Sequence, residues 1–131
     1  MKYIFVLTFL VFSCNSSQRE SEAQAVDLQK AVFKIHDEVM PKTMKIEDIQ
    51  VAVRTKVEKN TQLKTKGLAI NTAMQAASDS MYAFMVAMTK AEELPLERKI
   101  AQMKILQNKG ETIKTATETA LQKADEFLKK K

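Results

Sequence analysis

The sequence predicts an all-α protein: an antiparallel up-down-up three-helix bundle with coiled-coil-like heptad seams, its first helix kinked or broken at Pro41. Three observations predict it. The 131-residue chain holds 2 glycines, Gly67 and Gly110, and 2 prolines, Pro41 and Pro95, so little interrupts a helix. Past the N-terminal segment the chain is rich in Ala, Lys, Glu, Gln, Leu and Met, which is helix composition rather than sheet composition. Apolar side chains then recur at alternating steps of three and four, the repeat of helices packed at a shallow angle.

The first element is a leader. The chain opens MKYIFVLTFLVFSCNSSQRE, with Lys2 as a positive start, an apolar run from Tyr3 to Phe12 broken only by Thr8, and Ser13-Cys14 at its close. That is the pattern of a secretory signal. The run is about half of the roughly 20 residues a spanning helix needs, so cleavage is expected rather than a permanent helical anchor. Val11-Phe12-Ser13-Cys14 resembles the lipobox of bacterial lipoproteins, with Phe12 where a small residue is usual. The resemblance implies cleavage before Cys14, diacylation of its sulfur and acylation of the new N-terminus. Two or more buried acyl chains hold a protein on a membrane where one does not. Cys14 is also the only cysteine, and a lone exported thiol would otherwise invite oxidation or intermolecular pairing. Asn15 stands where an aspartate would retain a lipoprotein at the inner membrane, so the resemblance implies the outer membrane. Residues 1–13 therefore read as signal peptide, 14–23 as lipidated cysteine and flexible polar tether, and 24–131 as the helical domain.

Three segments follow, about 24–59, 61–92 and 96–129. In the first, Leu28, Val32, Ile35, Val39, Ile46, Ile49, Val53 and Val57 form the seam, with Lys42 at one position of it. In the second, Leu63, Gly67, Ile70, Met74, Ala77, Met81, Phe84, Met88 and Ala91 repeat the pattern without a gap. The third carries Leu96, Ile100, Met103, Leu106, Gly110, Ile113, Thr117, Ala120, Ala124 and Phe127. Lys59-Asn60-Thr61 supplies cap-type residues between the first two, and Pro95 opens the third. Nearly equal helices, each roughly 50 Å long at 1.5 Å per residue, joined by short loops, pack as antiparallel neighbours. A longer coiled-coil hairpin or a helix-exchanged homodimer would satisfy the same seams.

The stretch FKIHDEVMPKTM holds the only histidine. At about 100° per residue, Leu28, Val32, Ile35, Val39 and Ile46 form one apolar stripe of the first helix, and Val26, Phe33, Met40 and Met44 a second. His36 falls between the two. One stripe per neighbour places His36 in an interior seam. The turn positions then set His36 level with Met85, Met40 with Met81 and Met44 with Ala77, so that His36, Met40, Met44, Met81, Met85, Met88 and Met103 gather towards one end of the bundle. Thioethers with an imidazole are soft ligands that favour Cu(I), and a His and Met pair is also an axial set for haem iron. Methionine equally fills cores and adaptable apolar grooves.

Ile35-His36-Asp37-Glu38-Val39-Met40-Pro41-Lys42, followed by Met81-Tyr82-Ala83-Phe84-Met85-Val86-Ala87-Met88, resembles a family of small bacterial lipoproteins often labelled "viral A-type inclusion protein". The label implies no viral role. The resemblance implies a helical, lipid-anchored protein and names no substrate; Tyr82 and Phe84 stand where the family has tryptophan.

Function classes narrow by elimination. One histidine, no active-site cysteine and no Gly-rich phosphate loop argue against an enzyme. The net charge of +5 falls by one when Lys2 leaves with the signal, and the basic residues alternate with acidic ones, which argues against nucleic acid. Lys129-Lys130-Lys131 reads as a solvated helix end. The expectation is a lipid-anchored envelope module that binds a partner protein or apolar ligand through helix faces, with no cofactor. The alternative is a periplasmic or surface copper binder using His36, Met40, Met44, Met81, Met85 and Met88.

Overall fold

The computed structural model describes residues 14–130, with side chains from residue 16 onwards; the signal segment 1–13 and Lys131 lie outside the described residues. The described residues are all-helical apart from short turns. Its elements are α1 (Cys14–Thr43), α2 (Ile46–Lys59), a short 3-10 turn (Thr61–Leu63), α3 (Lys64–Glu92) and α4 (Leu96–Lys129). No strand occurs among the described residues.

The directions of the helices follow from paired contacts. Lys114 Nζ lies 2.5 Å from Glu38 Oε2, and Lys42 pairs with Glu118. Four residues on in α1 thus correspond to four residues on in α4, so these two helices run parallel. A Cβ placed on Gly110 would lie 3.0 Å from Phe84 Cζ, and one on Gly67 would lie 3.5 Å from Phe127 Cζ. These pairings run α3 against α4. Gln29 Nε2 donates to Glu92 Oε1 at 3.1 Å between α1 and α3, and Gln50 Nε2 donates to the Asn71 carbonyl at 3.1 Å between α2 and α3.

The seams bury as the periodicity requires. Every position of the α3 seam from Gly67 to Ala91 and of the α4 seam from Met103 to Phe127 is buried. The apolar interior divides in two. One cluster joins Val32, Ile35 and Val39 of α1 to Met81, Phe84 and Met88 of α3 and to Met103, Leu106 and Ile113 of α4. The other joins Ile46 and Val53 of α2 to Ile70, Met74 and Ala77 of α3 and to Ala120, Ala124 and Phe127 of α4. Both glycines make room in this packing: Gly110 lacks a side chain where Ile35 and Phe84 fill the space, and Gly67 lacks one where Val57 of α2 fills it.

The structure departs from the sequence expectations in three places. The helix reaches back to Cys14, into the stretch expected as a flexible tether. NSSQRESEA contains neither glycine nor proline, and local bonds reinforce the helix there: Ser21 Oγ donates to the Ser17 carbonyl at 3.0 Å, and Gln18 Nε2 to Glu22 Oε1 at 3.2 Å.

The second departure is the position of the break in the first segment, which divides it into two, so that four α-helices stand among the described residues. Pro41 lies inside α1, and the interruption falls later, at Met44 and Lys45. Proline removes only its own bond to the Asp37 carbonyl. The chain therefore completes another turn, with Met44 N donating to the Met40 carbonyl at 3.0 Å. It then tightens, with Lys45 N donating to the Lys42 carbonyl at 3.2 Å, before Ile49 N to the Lys45 carbonyl at 3.2 Å starts α2.

The third departure is the second apolar stripe of α1. Val26 is 48%, Phe33 39% and Met44 74% exposed and Met40 is only partly buried, so the fully buried stripe is the one through Val32, Ile35 and Val39. The cause is asymmetric packing: α1 lies mainly on α4 and only lightly on α3. The two ion pairs from Glu38 and Lys42 hold it there.

The two interhelix turns are short and hydrogen-bonded. Asn60 Oδ1 accepts from Gln62 N at 3.1 Å at the first turn, and Lys99 N donates to the Pro95 carbonyl at 2.8 Å to open α4. Lys56 of α2 closes α4 from outside, its Nζ donating to the carbonyls of Phe127 at 2.8 Å and Leu128 at 3.0 Å and lying 5.4 Å from the Phe127 ring centroid. A cation at a helix C-terminus meets the negative pole of its dipole.

Candidate functional site

The proline-containing end of α1 carries the chemistry-bearing residues. The His36 side chain is 23% exposed, and its Nδ1 lies 3.0 Å from Asp37 Oδ1. Met40 and Met85 are partly buried and pack against the same apolar cluster, the one built on Val32, Phe84 and Met103. Met81, Met88 and Met103 are members of that cluster, at 1%, 5% and 0% exposure. Met44 stands apart, outside this cluster at the α1–α2 break, and Met74 belongs to the other cluster.

Register sets His36 level with Met85. Gln29 bonds Glu92; seven residues on in α1 is His36, and seven residues back in α3 is Met85. Seven residues are about two turns, so the second pair occupies the same two helix faces as the first. The same step of four sets Met40 level with Met81.

Both α1 and α3 carry exposed apolar side chains at this level. Phe33 comes from α1, and Tyr82 at 71% and Val86 at 38% exposure come from α3. These aromatic and branched side chains lie off the buried seams, and that offset was their only sequence signal. On the far side of α1 the surface is charged. The Lys114 ammonium, hydrogen-bonded to Glu38, holds that carboxyl below its usual range and is itself held above the usual lysine range by the same bond. The hydrogen bond from Lys42 likewise lowers Glu118. These four residues form a clamp between α1 and α4.

Two shallow grooves lie elsewhere. One of about 380 Å³ runs between α3 and α4, lined by Ala73, Ala76, Ser80, Ala116 and neighbours. The other, about 530 Å³, lies between α1 and α4 near Leu28 and Gln107. Neither includes His36 or a methionine. Their linings are small and polar residues that lack a convergent set of chemically active groups.

Among the described residues there is no group of three or more His, Cys, Asp or Glu side chains placed to hold a metal ion. A soft-donor site would rest on His36 and thioethers alone. No described helix is long and apolar enough to cross a membrane. Comparisons with protein-family models, with curated proteins and with solved structures find no match.

Proposed function

We propose that this is a lipid-anchored cell-envelope protein of the outer membrane that acts as a non-catalytic interaction module. In this reading α1 and α2 act as one interrupted rod of an up-down-up three-rod bundle, attached to the membrane through Cys14. The observation that carries the module reading is the exposure of large apolar side chains on neighbouring helices, Phe33 on α1 and Tyr82 and Val86 on α3. Large exposed apolar side chains grouped on one face mark interaction surfaces more often than isolated ones do. A partner helix laying its own apolar face along this boundary would use the helix-in-groove mode of recognition.

Two experiments test the two halves of this reading. Cys14→Ser is expected to abolish incorporation of labelled palmitate and to move the protein out of the membrane fraction. Retention of the variant in that fraction would remove the anchor. For the module, a photo-crosslinking residue at Tyr82 is expected to give a discrete adduct in intact cells, while the same residue at exposed Lys123, across the molecule on α4, gives none. Equal labelling from both positions would leave the α1–α3 boundary without a special role. An adduct of twice the chain mass would identify the partner as a second copy.

A further inference from the structure

We propose that His36, Met40 and Met85 form a binding site for one soft monovalent metal ion of the Cu(I) class, with His36 Nε2 and the two thioether sulfurs as ligands. The site lies where α1 meets α3. It does not depend on the interaction-module reading.

Position comes first. The Gln29–Glu92 hydrogen bond fixes the α1–α3 register, and His36 and Met85 are the pair two turns further along the same faces. Met40 is one turn beyond His36, where Cβ atoms on a helix lie about 5–6 Å apart. Met40 and Met85 both pack against a single apolar cluster, which lines the inner side of the site. His36 keeps 23% of its side chain in contact with solvent, which gives an ion a way in.

The second observation is the orientation of the histidine. A carboxylate only accepts, so the 3.0 Å contact with Asp37 Oδ1 places the ring hydrogen on Nδ1. In the neutral ring Nε2 then carries the lone pair. A carboxylate behind a histidine that presents its other nitrogen is the arrangement that fixes a metal-binding imidazole and raises its basicity. Asp37 also supplies a negative charge beside a cationic site.

The donor set decides the ion. Two thioethers and a neutral imidazole suit Cu(I) and its closed-shell analogue Ag(I), whereas Mg, Ca and Mn prefer carboxylate and carbonyl oxygens. The structure also narrows the candidates. Met81 and Met88 are buried to 1% and 5% exposure among core side chains, and Met44 is 74% exposed beyond the site.

The test uses the full chain carrying Cys14→Ser, so that no thiol competes, titrated anaerobically with Cu(I) against a colorimetric chelator of known affinity. The expected result is one equivalent bound, with affinity lowered more than tenfold by His36→Ala or Met85→Leu and unchanged by Met74→Leu. Asp37→Asn is expected to weaken binding by about 10–100-fold, the range for a group orienting a metal ligand. Circular dichroism checks that each variant keeps its helix content. A readout without ligand substitution is methionine-methyl NMR with Ag(I), in which the Met40 and Met85 signals shift and those of Met74 and Met103 stay in place. Absence of a one-equivalent site overturns the proposal, as do shifts spread evenly over the methionines.

Discussion

A methyl group on Gly110 would stand 3.0 Å from Ile35 Cγ2 and 3.0 Å from Phe84 Cζ. Two effects oppose each other in Gly110→Ala. Alanine is favoured over glycine in a helix interior by about 0.5–1 kcal/mol, while overpacking a filled core costs about 1–3 kcal/mol. Phe84 is 0% and Ile35 6% exposed, so neither has room to yield. The steric cost prevails, and urea denaturation is expected to show a net loss of about 1–2 kcal/mol. Thr117 presents the reverse case. It is 0% exposed, and its Oγ1 has no hydrogen-bond partner. Leaving a buried hydroxyl unpaired costs on the order of 1–3 kcal/mol, and valine has nearly its shape. Thr117→Val is therefore expected to raise the melting temperature; a lower one would mean that a buried water satisfies the hydroxyl. The seam spacing already marked Thr117 as a core position. Its lack of a partner was invisible there, because a hydrogen bond depends on what the other helices bring to that depth.

Among the elements, α1 is held by charge on one side and left open on the other. The depressed carboxyls of Glu38 and Glu118 contribute stability that is present above their ordinary value of 4.5 and is lost as the pH falls through their lowered values. The raised Lys114 contributes stability that is present below its ordinary 10.5 and is lost as the pH rises through its higher value. The α1–α4 clamp thus works between these limits and weakens in salt, because its groups are solvent-accessible. Glu38→Gln with Glu118→Gln is expected to flatten the acid limb of thermal stability and to reduce its dependence on ionic strength. An unchanged acid limb would assign acid sensitivity to other groups. The clamp also explains which parts of the first segment were legible. Three-and-four spacing located both apolar stripes of α1, but the choice between them depends on where α4 packs, and the ion pairs that mark that side join residues 76 positions apart in the sequence. Pro41 announced an interruption. Its displacement to Met44 and Lys45 had no local marker, since neither residue is a helix breaker.

For the whole molecule, the turns at Asn60 and Pro95 fixed the register, and the level of His36 with Met85 was readable from them because rigid helices carry a register over their full length. What the turns could not convey is that the interior is two clusters rather than one. Ile35, at 6% exposure, belongs to the first, and Ile70, at 5%, to the second. Each Ile→Val change is expected to cost about 0.5–1.5 kcal/mol. If the clusters are energetically separate, the double variant equals the two singles to within about 0.3–0.5 kcal/mol. A larger coupling in denaturation experiments would make them one core.

The two glycines have a mechanical consequence. Gly67 of α3 makes room for Val57 of α2, and Gly110 of α4 makes room for Phe84 of α3 and Ile35 of α1. Sliding α3 along either neighbour by a turn would drive one of these side chains off its vacancy and onto another side chain. Translation is thereby blocked at two stations, each of which locks a different pair of helices.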